Sequence, residues 1–293
     1  MGIGEAIKKG FSTALHSVVL VLVLLGINVA FNLIASPFSL KIQAVMTEIQ
    51  KLPNPDFKLF LPILPLIILV ALANILISAY TQAGLVGYLK DKIKSGPLPL
   101  ASFFTSGAKY LVKFLLLMLL GLAYSLAVFI AAIAVVAVGA LIASLFKGAA
   151  LASGIIIFIF AAVGLVILGA GIYFGFLFFS MAPYAIVVQE SKVMDAVKSS
   201  LAFVRSKLGP IIGLTLIFVG IILLLVVFVS VSAVLLRLGA GGVPQTFLMK
   251  ASQLILTLPF GFLFTFFAVF MTGSFMSYYL ATSNISNNTS VAN

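Results

Sequence analysis

Six apolar runs, at about 13–35, 59–87, 112–145, 152–187, 210–236 and 252–280, constrain this chain more than any other feature. A helix needs roughly 20 apolar residues to cross the hydrocarbon core of a bilayer, and each run supplies them. Inside lipid the backbone must satisfy its own N–H and C=O groups, so runs of this kind cross as helices. The expected fold is an all-α polytopic membrane protein with six transmembrane helices in one domain, 1–282, followed by a polar tail, 283–293. The third and fourth runs are long. Lys147-Gly148 is the only charged interruption between Lys113 and Glu190, which argues for one turn there and two long helices, tilted or projecting beyond the bilayer. Composition agrees. The chain is 63% apolar and 8% charged, against roughly 45–50% and 25% in soluble domains.

Basic residues give the direction of insertion. With the N-terminus inside, the inner segments carry 11 of the 17 Lys and Arg residues and the outer segments 6, the bias the positive-inside rule expects. A third span within 112–187 would move Lys192, Lys198, Arg205 and Lys207 outside and reverse it. The expectation is a multi-pass protein of the cell (plasma) membrane with both termini cytoplasmic. The net charge of +11 is spread over short loops, which points to membrane topology and anionic headgroups rather than nucleic acid. The run after Lys8 and Lys9 is longer than a signal h-region and lacks a small-x-small cleavage site, so no cleaved signal is expected.

The outer segment 36–58 reads as a short amphipathic helix, with Leu40, Val45, Ile49 and Leu52 recurring beside Lys41, Glu48 and Lys51. Pro53, Pro55, Pro62 and Pro65 then mark re-entry into the second span. The uncharged tail is expected to be disordered, and its Asn-x-Ser/Thr patterns at Asn284, Asn287 and Asn288 read as chance composition.

The longest polar interruption in the second half, 180–210, belongs to an internal repeat. Glu5-Ala6-Ile7-Lys8-Lys9-Gly10-Phe11 aligns with Asp195-Ala196-Val197-Lys198-Ser199-Ser200-Leu201, and more weakly with Ser102-Phe103-Phe104-Thr105-Ser106-Gly107-Ala108. Each copy precedes an odd-numbered span. The chain therefore reads as three hairpins, each preceded by a short cytoplasmic amphipathic helix. In the 195 copy, Val193, Val197, Leu201, Val204 and Leu208 form one apolar stripe, Ser191 is placed to cap the first turn, and the basic residues lie mostly off the stripe. Lys192, Lys198, Arg205 and Lys207 are the candidate contacts for lipid headgroups or a protein partner.

Catalytic chemistry has little to stand on. All six acidic residues, Glu5, Glu48, Asp56, Asp91, Glu190 and Asp195, fall in loops or at boundaries, whereas ion-coupled carriers usually keep ionisable groups within the bundle. His16 is the only histidine and cysteine is absent, so no metal-ligand spacing exists. Hydrolase and phosphate-loop motifs are missing too. No enzyme activity, cofactor or metal is expected. Asn28, Asn32, Asn74 and Gln82 are the polar residues inside spans, serving either as a patch lining a pathway or as interhelical hydrogen-bond partners. Gly171 and Gly175 make a small-xxx-small pattern for close helix approach. Tyr80, Tyr88, Tyr184, Tyr278 and Tyr279 fall near the inner ends of the even spans, where an interfacial aromatic belt is expected.

Through Met181-Ala182-Pro183-Tyr184, Gln189-Glu190 and Asp195-Ala196-Val197-Lys198-Ser199-Ser200, the chain resembles a group of prokaryotic six-helix membrane-domain families. They are largely uncharacterised and include the membrane domain attached to some glycerophosphodiester phosphodiesterases. The resemblance covers about 20 residues closely and the six-span plan loosely. It implies no catalytic residues, since the phosphodiesterase domain is missing from this sequence. The expected function is a non-enzymatic membrane module that organises lipids or protein partners, with a homo-oligomer among the possible partners. The alternative is a transporter or channel for a small or lipidic substrate.

Overall fold

A computed structural model describes residues 1–51, 61–146, 149–239 and 245–290. All secondary structure among them is helical: α1 (Ile3–Leu15), α2 (Val18–Gln50), α3 (Leu64–Ser95), α4 (Ala101–Ser144), α5 (Ala150–Phe179), α6 (Ala182–Val188), α7 (Val193–Ser206), α8 (Leu208–Gly239) and α9 (Gln245–Ser290). Six stretches are long and apolar enough to cross a membrane: Val18–Gln50, Leu64–Ser95, Ala101–Ser144, Leu151–Val188, Leu208–Ser232 and Leu258–Ser283. The contacts divide into two compact units, Met1–Lys109 with Leu208–Asn293, and Tyr110–Lys207.

In the first unit α9 is the hub. Of its apolar stretch 39% is buried, against at most 22% in the other five spans, and it packs on α1, α2, α3 and α8. Phe218 of α8 meets the rings of Phe267, Phe270 and Phe275 at 5.5, 5.1 and 5.8 Å. Phe11 of α1 approaches Phe270 edge-on at 5.5 Å, the geometry that ring quadrupoles favour. α1 buries Ala6, Gly10 and Ala14, one small residue per turn along one face. The close approach is at Gly10, where an added Cβ would stand 2.5 Å from the Ser274 amide nitrogen and 2.7 Å from its Cα. No side chain other than hydrogen fits there.

Interruptions to the helices are repaired locally. Pro37 lies inside α2 and cannot donate to the carbonyl of Leu33. The Ser36 hydroxyl donates to that carbonyl instead, at 3.1 Å. α3 ends where Gly96 takes φ 86°, ψ −147°, a conformation essentially restricted to glycine.

In the second unit α4 (from 110) and α5 lie against each other through small residues. Tyr124 donates to the Gly171 carbonyl at 2.8 Å. Val128 on α4 fills the place of a Cβ on Gly171, its Cγ1 only 2.2 Å away, and Tyr124 one turn earlier would stand 3.1 Å from a Cβ on Gly175. The pattern Gly171-x-x-x-Gly175 is thus used for packing, as the sequence suggests.

Four sequence expectations are corrected. The segment after 36 is no separate surface helix: α2 runs unbroken to Gln50, because the Pro37 interruption is repaired, and Leu40, Val45 and Ile49 ride on it. Leu52, Pro53, Pro55 and Lys58 lie outside the described residues, as does the turn expected at Lys147-Gly148. The Ser102 copy of the repeat is the first part of the continuous α4, whose following residues Tyr110, Leu111 and Val112 contain no Gly or Pro to end a helix. The fourth apolar run is broken into α5 and α6, since Pro183 cannot donate to Phe179, the last residue of α5. α9 continues to Ser290, through most of the segment expected to be disordered, with no proline after Pro259.

Gly10 and Gly4 provide a matched test within α1. A Cβ at Gly4 meets nothing within 4 Å. Gly10→Ala should unseat α1 and speed tryptic cleavage after Lys8 and Lys9 in the purified protein. Gly4→Ala should leave the cleavage rate unchanged.

Candidate functional site

α7 and its two cap residues carry the basic residues singled out from the sequence, and the seating of α7 depends on small side chains. Its buried line is Ala196, Ser200 and Val204, at i, i+4 and i+8. Val193, Val197, Leu201 and Leu208 are half-buried beside that line. The stripe read from the sequence is therefore displaced toward the smaller residues, because α7 lies close against α5 and α6 and only small side chains fit the contact.

Ser200 does more than fill space. Its Oγ accepts a hydrogen bond from the Met181 amide at 3.2 Å and donates to the Leu177 carbonyl at 3.0 Å. In an uninterrupted helix the amide of residue 181 would bond to the carbonyl of residue 177. The hydroxyl is inserted into that opened link, a recognised cause of a helix kink, and it satisfies both freed backbone groups.

The α6–α7 turn is held from α4. Glu190 adopts φ 52°, an uncommon left-handed conformation for a non-glycine residue. Lys113 donates to the Glu190 carbonyl at 2.8 Å, and Tyr110 donates to its Oε1 at 3.2 Å. Ser191 does not cap α7: its hydroxyl donates to the Ala185 carbonyl at 3.2 Å, and the N-cap position falls to Lys192 without a side-chain bond. Lys192, Lys198, Arg205 and Lys207 are all exposed and form no ion pair among the described residues.

α1 is built on the same plan. A shift of 190 residues carries Ile3 onto Val193 and Val18 onto Leu208, so both short helices and both following spans begin at equivalent positions. The same shift carries the buried set Ala6, Gly10, Ala14 onto Ala196, Ser200, Val204. Pro210 explains the break after Ser206, since it cannot bond to that residue's carbonyl. After α1 the break is secured by Lys92 of α3, whose Nζ donates to the His16 carbonyl and, at 2.7 Å, to the Ser17 hydroxyl. His16 itself donates from Nδ1 to the Ser12 carbonyl at 2.7 Å, which gives the lone histidine a structural role. In the third copy Phe103 and Gly107 are buried, against Gly84 and Tyr80 of α3.

Asn28, Asn32, Asn74 and Gln82 are all exposed. Asn74 accepts from Ser78 on its own helix at 3.2 Å. Tyr88, Tyr278 and Tyr279 are buried in the first unit and Tyr184 in the second, so they are core residues of their own units rather than an exposed belt. The short helices and the start of α4 pack over those span ends, so the rings face protein.

A scan against protein-family models and searches of curated proteins and of solved structures find no match to this chain. The physical reading of the residues therefore carries the functional argument by itself.

The sequence reading missed Ser200 and Lys92. A signal existed for Ser200, because it replaces the glycine of the other two copies and follows soon after Pro183. Lys92 was indistinguishable by sequence from its neighbours Lys90 and Lys94.

Ser200→Ala would leave the Met181 amide and the Leu177 carbonyl unpaired, at about 1–3 kcal/mol per buried group. The expected result is a thermal midpoint several degrees lower for the purified protein, with Ser199→Ala, one residue away and half-exposed, close to unchanged.

Proposed function

We propose that the chain is a non-enzymatic membrane module of the cell membrane that gathers anionic lipids or a protein partner at its short surface helices. The unit of construction in this reading is three hairpins in series, with amphipathic helices α1 and α7 on the cytoplasmic face and both termini on that side. The observation that carries it is the division of α7. One face is anchored by Ala196, Ser200 and Val204, while Lys192, Lys198, Arg205 and Lys207 are exposed and without ion pairs among the described residues. Lys198 and Arg205, seven residues apart, share the face of α7 away from that buried line, and Lys192 and Lys207 flank the helix at its two caps. Basic residues close to an anionic membrane surface contribute about 1 kcal/mol each. The bias of inner over outer basic residues supports the same orientation.

Two measurements test the reading. The triple variant Lys198→Gln, Arg205→Gln, Lys207→Gln should retain several-fold less anionic lipid relative to zwitterionic lipid on purification, or lose a co-purifying protein. Unchanged retention of both would remove the proposal's support. Orientation is accessible because the chain has no cysteine. A membrane-impermeant maleimide should label Lys41→Cys in intact cells and Lys198→Cys only after lysis; the reverse pattern would invert the topology.

A further inference from the structure

Among the described side chains of α9, one hydroxyl is unlike the others. Thr265, Thr272, Ser274 and Thr282 each donate to the carbonyl four residues back at 2.7–2.9 Å, and Ser283 donates to Leu280 at 3.3 Å. Ser277 is 3% exposed and its hydroxyl has no partner among the described residues. An unpaired buried hydroxyl costs about 1–3 kcal/mol. It lies at the edge of a recess of about 230 Å³ between α1, α3 and α9, lined by Lys9, Ile93, Lys94, Ser277, Leu280 and Ala281.

The recess has the chemistry of an anion site. Lys9 is exposed and paired with Glu5 at 3.3 Å. Lys94 is exposed and makes no ion pair among the described residues, although Lys90 nearby pairs with Asp91 at 3.7 Å. Its remaining lining, Ile93, Leu280 and Ala281, is apolar. Lys94 is the penultimate residue of α3, and Ser277 to Ala281 fall in the last turns of the span Leu258–Ser283. Both therefore lie where hydrocarbon gives way to headgroups. A volume of about 230 Å³ is below the ~300–1,000 Å³ of pockets that enclose whole drug-sized molecules.

We propose that this recess binds a phosphate group, with the carbon chain attached to it leaving along the apolar side. Lys94 and Lys9 supply charge-assisted hydrogen bonds. Ser277 donates to a phosphate oxygen, which gives it the partner it lacks among the described residues. The apolar residues lie beside the adjoining glycerol or acyl carbons. Glu5 withdraws from Lys9 as the phosphate takes its place. The proposal rests on the reading that this end of the first unit meets the headgroup layer, but it concerns different residues from the basic face of α7.

The test uses the full-length protein in zwitterionic detergent and native mass spectrometry. The lipid probe is dioleoyl phosphatidic acid, with dioleoylglycerol as its phosphate-free counterpart. Wild type should retain one phosphatidic acid in preference to the diacylglycerol. Lys94→Gln and Ser277→Ala should each weaken retention about tenfold. Ser277→Ala removes an unpartnered hydroxyl, so its thermal midpoint without lipid should equal or exceed that of wild type, which separates loss of binding from loss of fold. Competition by glycerol 3-phosphate or inorganic phosphate would assign the site to a soluble phosphate, and failure to compete would assign it to the lipid; either supports the phosphate site. Equal retention by wild type and both variants would overturn it, as would equal retention of the diacylglycerol. Loss of phosphatidic acid in the triple α7 variant with retention in Lys94→Gln would overturn this site while sparing the wider reading.

Discussion

The structure depends on the requirement that a backbone crossing lipid leave no N–H or C=O group unpaired. Regular helix meets it without assistance, and each repaired departure from regular helix in this chain is met by a specific side chain. Ser36 takes over the carbonyl that Pro37 deprives of its donor. Lys92 closes the carbonyl end of α1, where the partial negative charge of the helix dipole also favours a cation. Ser200 fills the gap between Leu177 and Met181. Two of these three repairs come from a different helix, so the same bonds that satisfy the backbone also tie the elements together.

Close packing is the other source of cohesion. Lipid is as apolar as leucine, so leucine-rich faces gain little by turning toward each other, and helices associate where small residues allow backbones to approach. The pattern is visible at Gly10 against Ser274 and at Gly171 against Val128. Meanwhile large apolar residues such as Leu145, Leu151 and Phe158 remain exposed, at 80%, 79% and 74%. In water such surface would drive collapse or association; toward lipid it is an ordinary outer face.

The six apolar stretches were legible in the sequence because apolar run length is a property of one segment at a time. The start of α1 and of α7 was legible through Glu5 and Asp195 in matching contexts. Features that depend on partners were not. Whether Pro37 ended a helix turned on the hydroxyl beside it. The tyrosines at the ends of the even spans have the composition of an interfacial belt, and only the helices packed over them make them core. The apolar stripe of α7 was read from hydrophobicity, whereas contact distance selected its small residues. Lys94 and Ser277 carry no sequence signal, since each is an unremarkable residue at a helix end until α1 and α9 meet beside it.

Gly10 and Ser274 belong to opposite ends of the chain, and their contact has a consequence for synthesis. α1 leaves the ribosome ahead of α9, and the surface that receives its buried face is more than 250 residues further along. At about 5–20 residues per second, that interval is on the order of 10–50 s. During it Ala6, Gly10 and Ala14 have no α9 to dock against, and the nascent helix must wait on the membrane surface or be sheltered by an insertion factor. α1 is thus made well before the contact that fixes it, and its docking has to follow the arrival of α9.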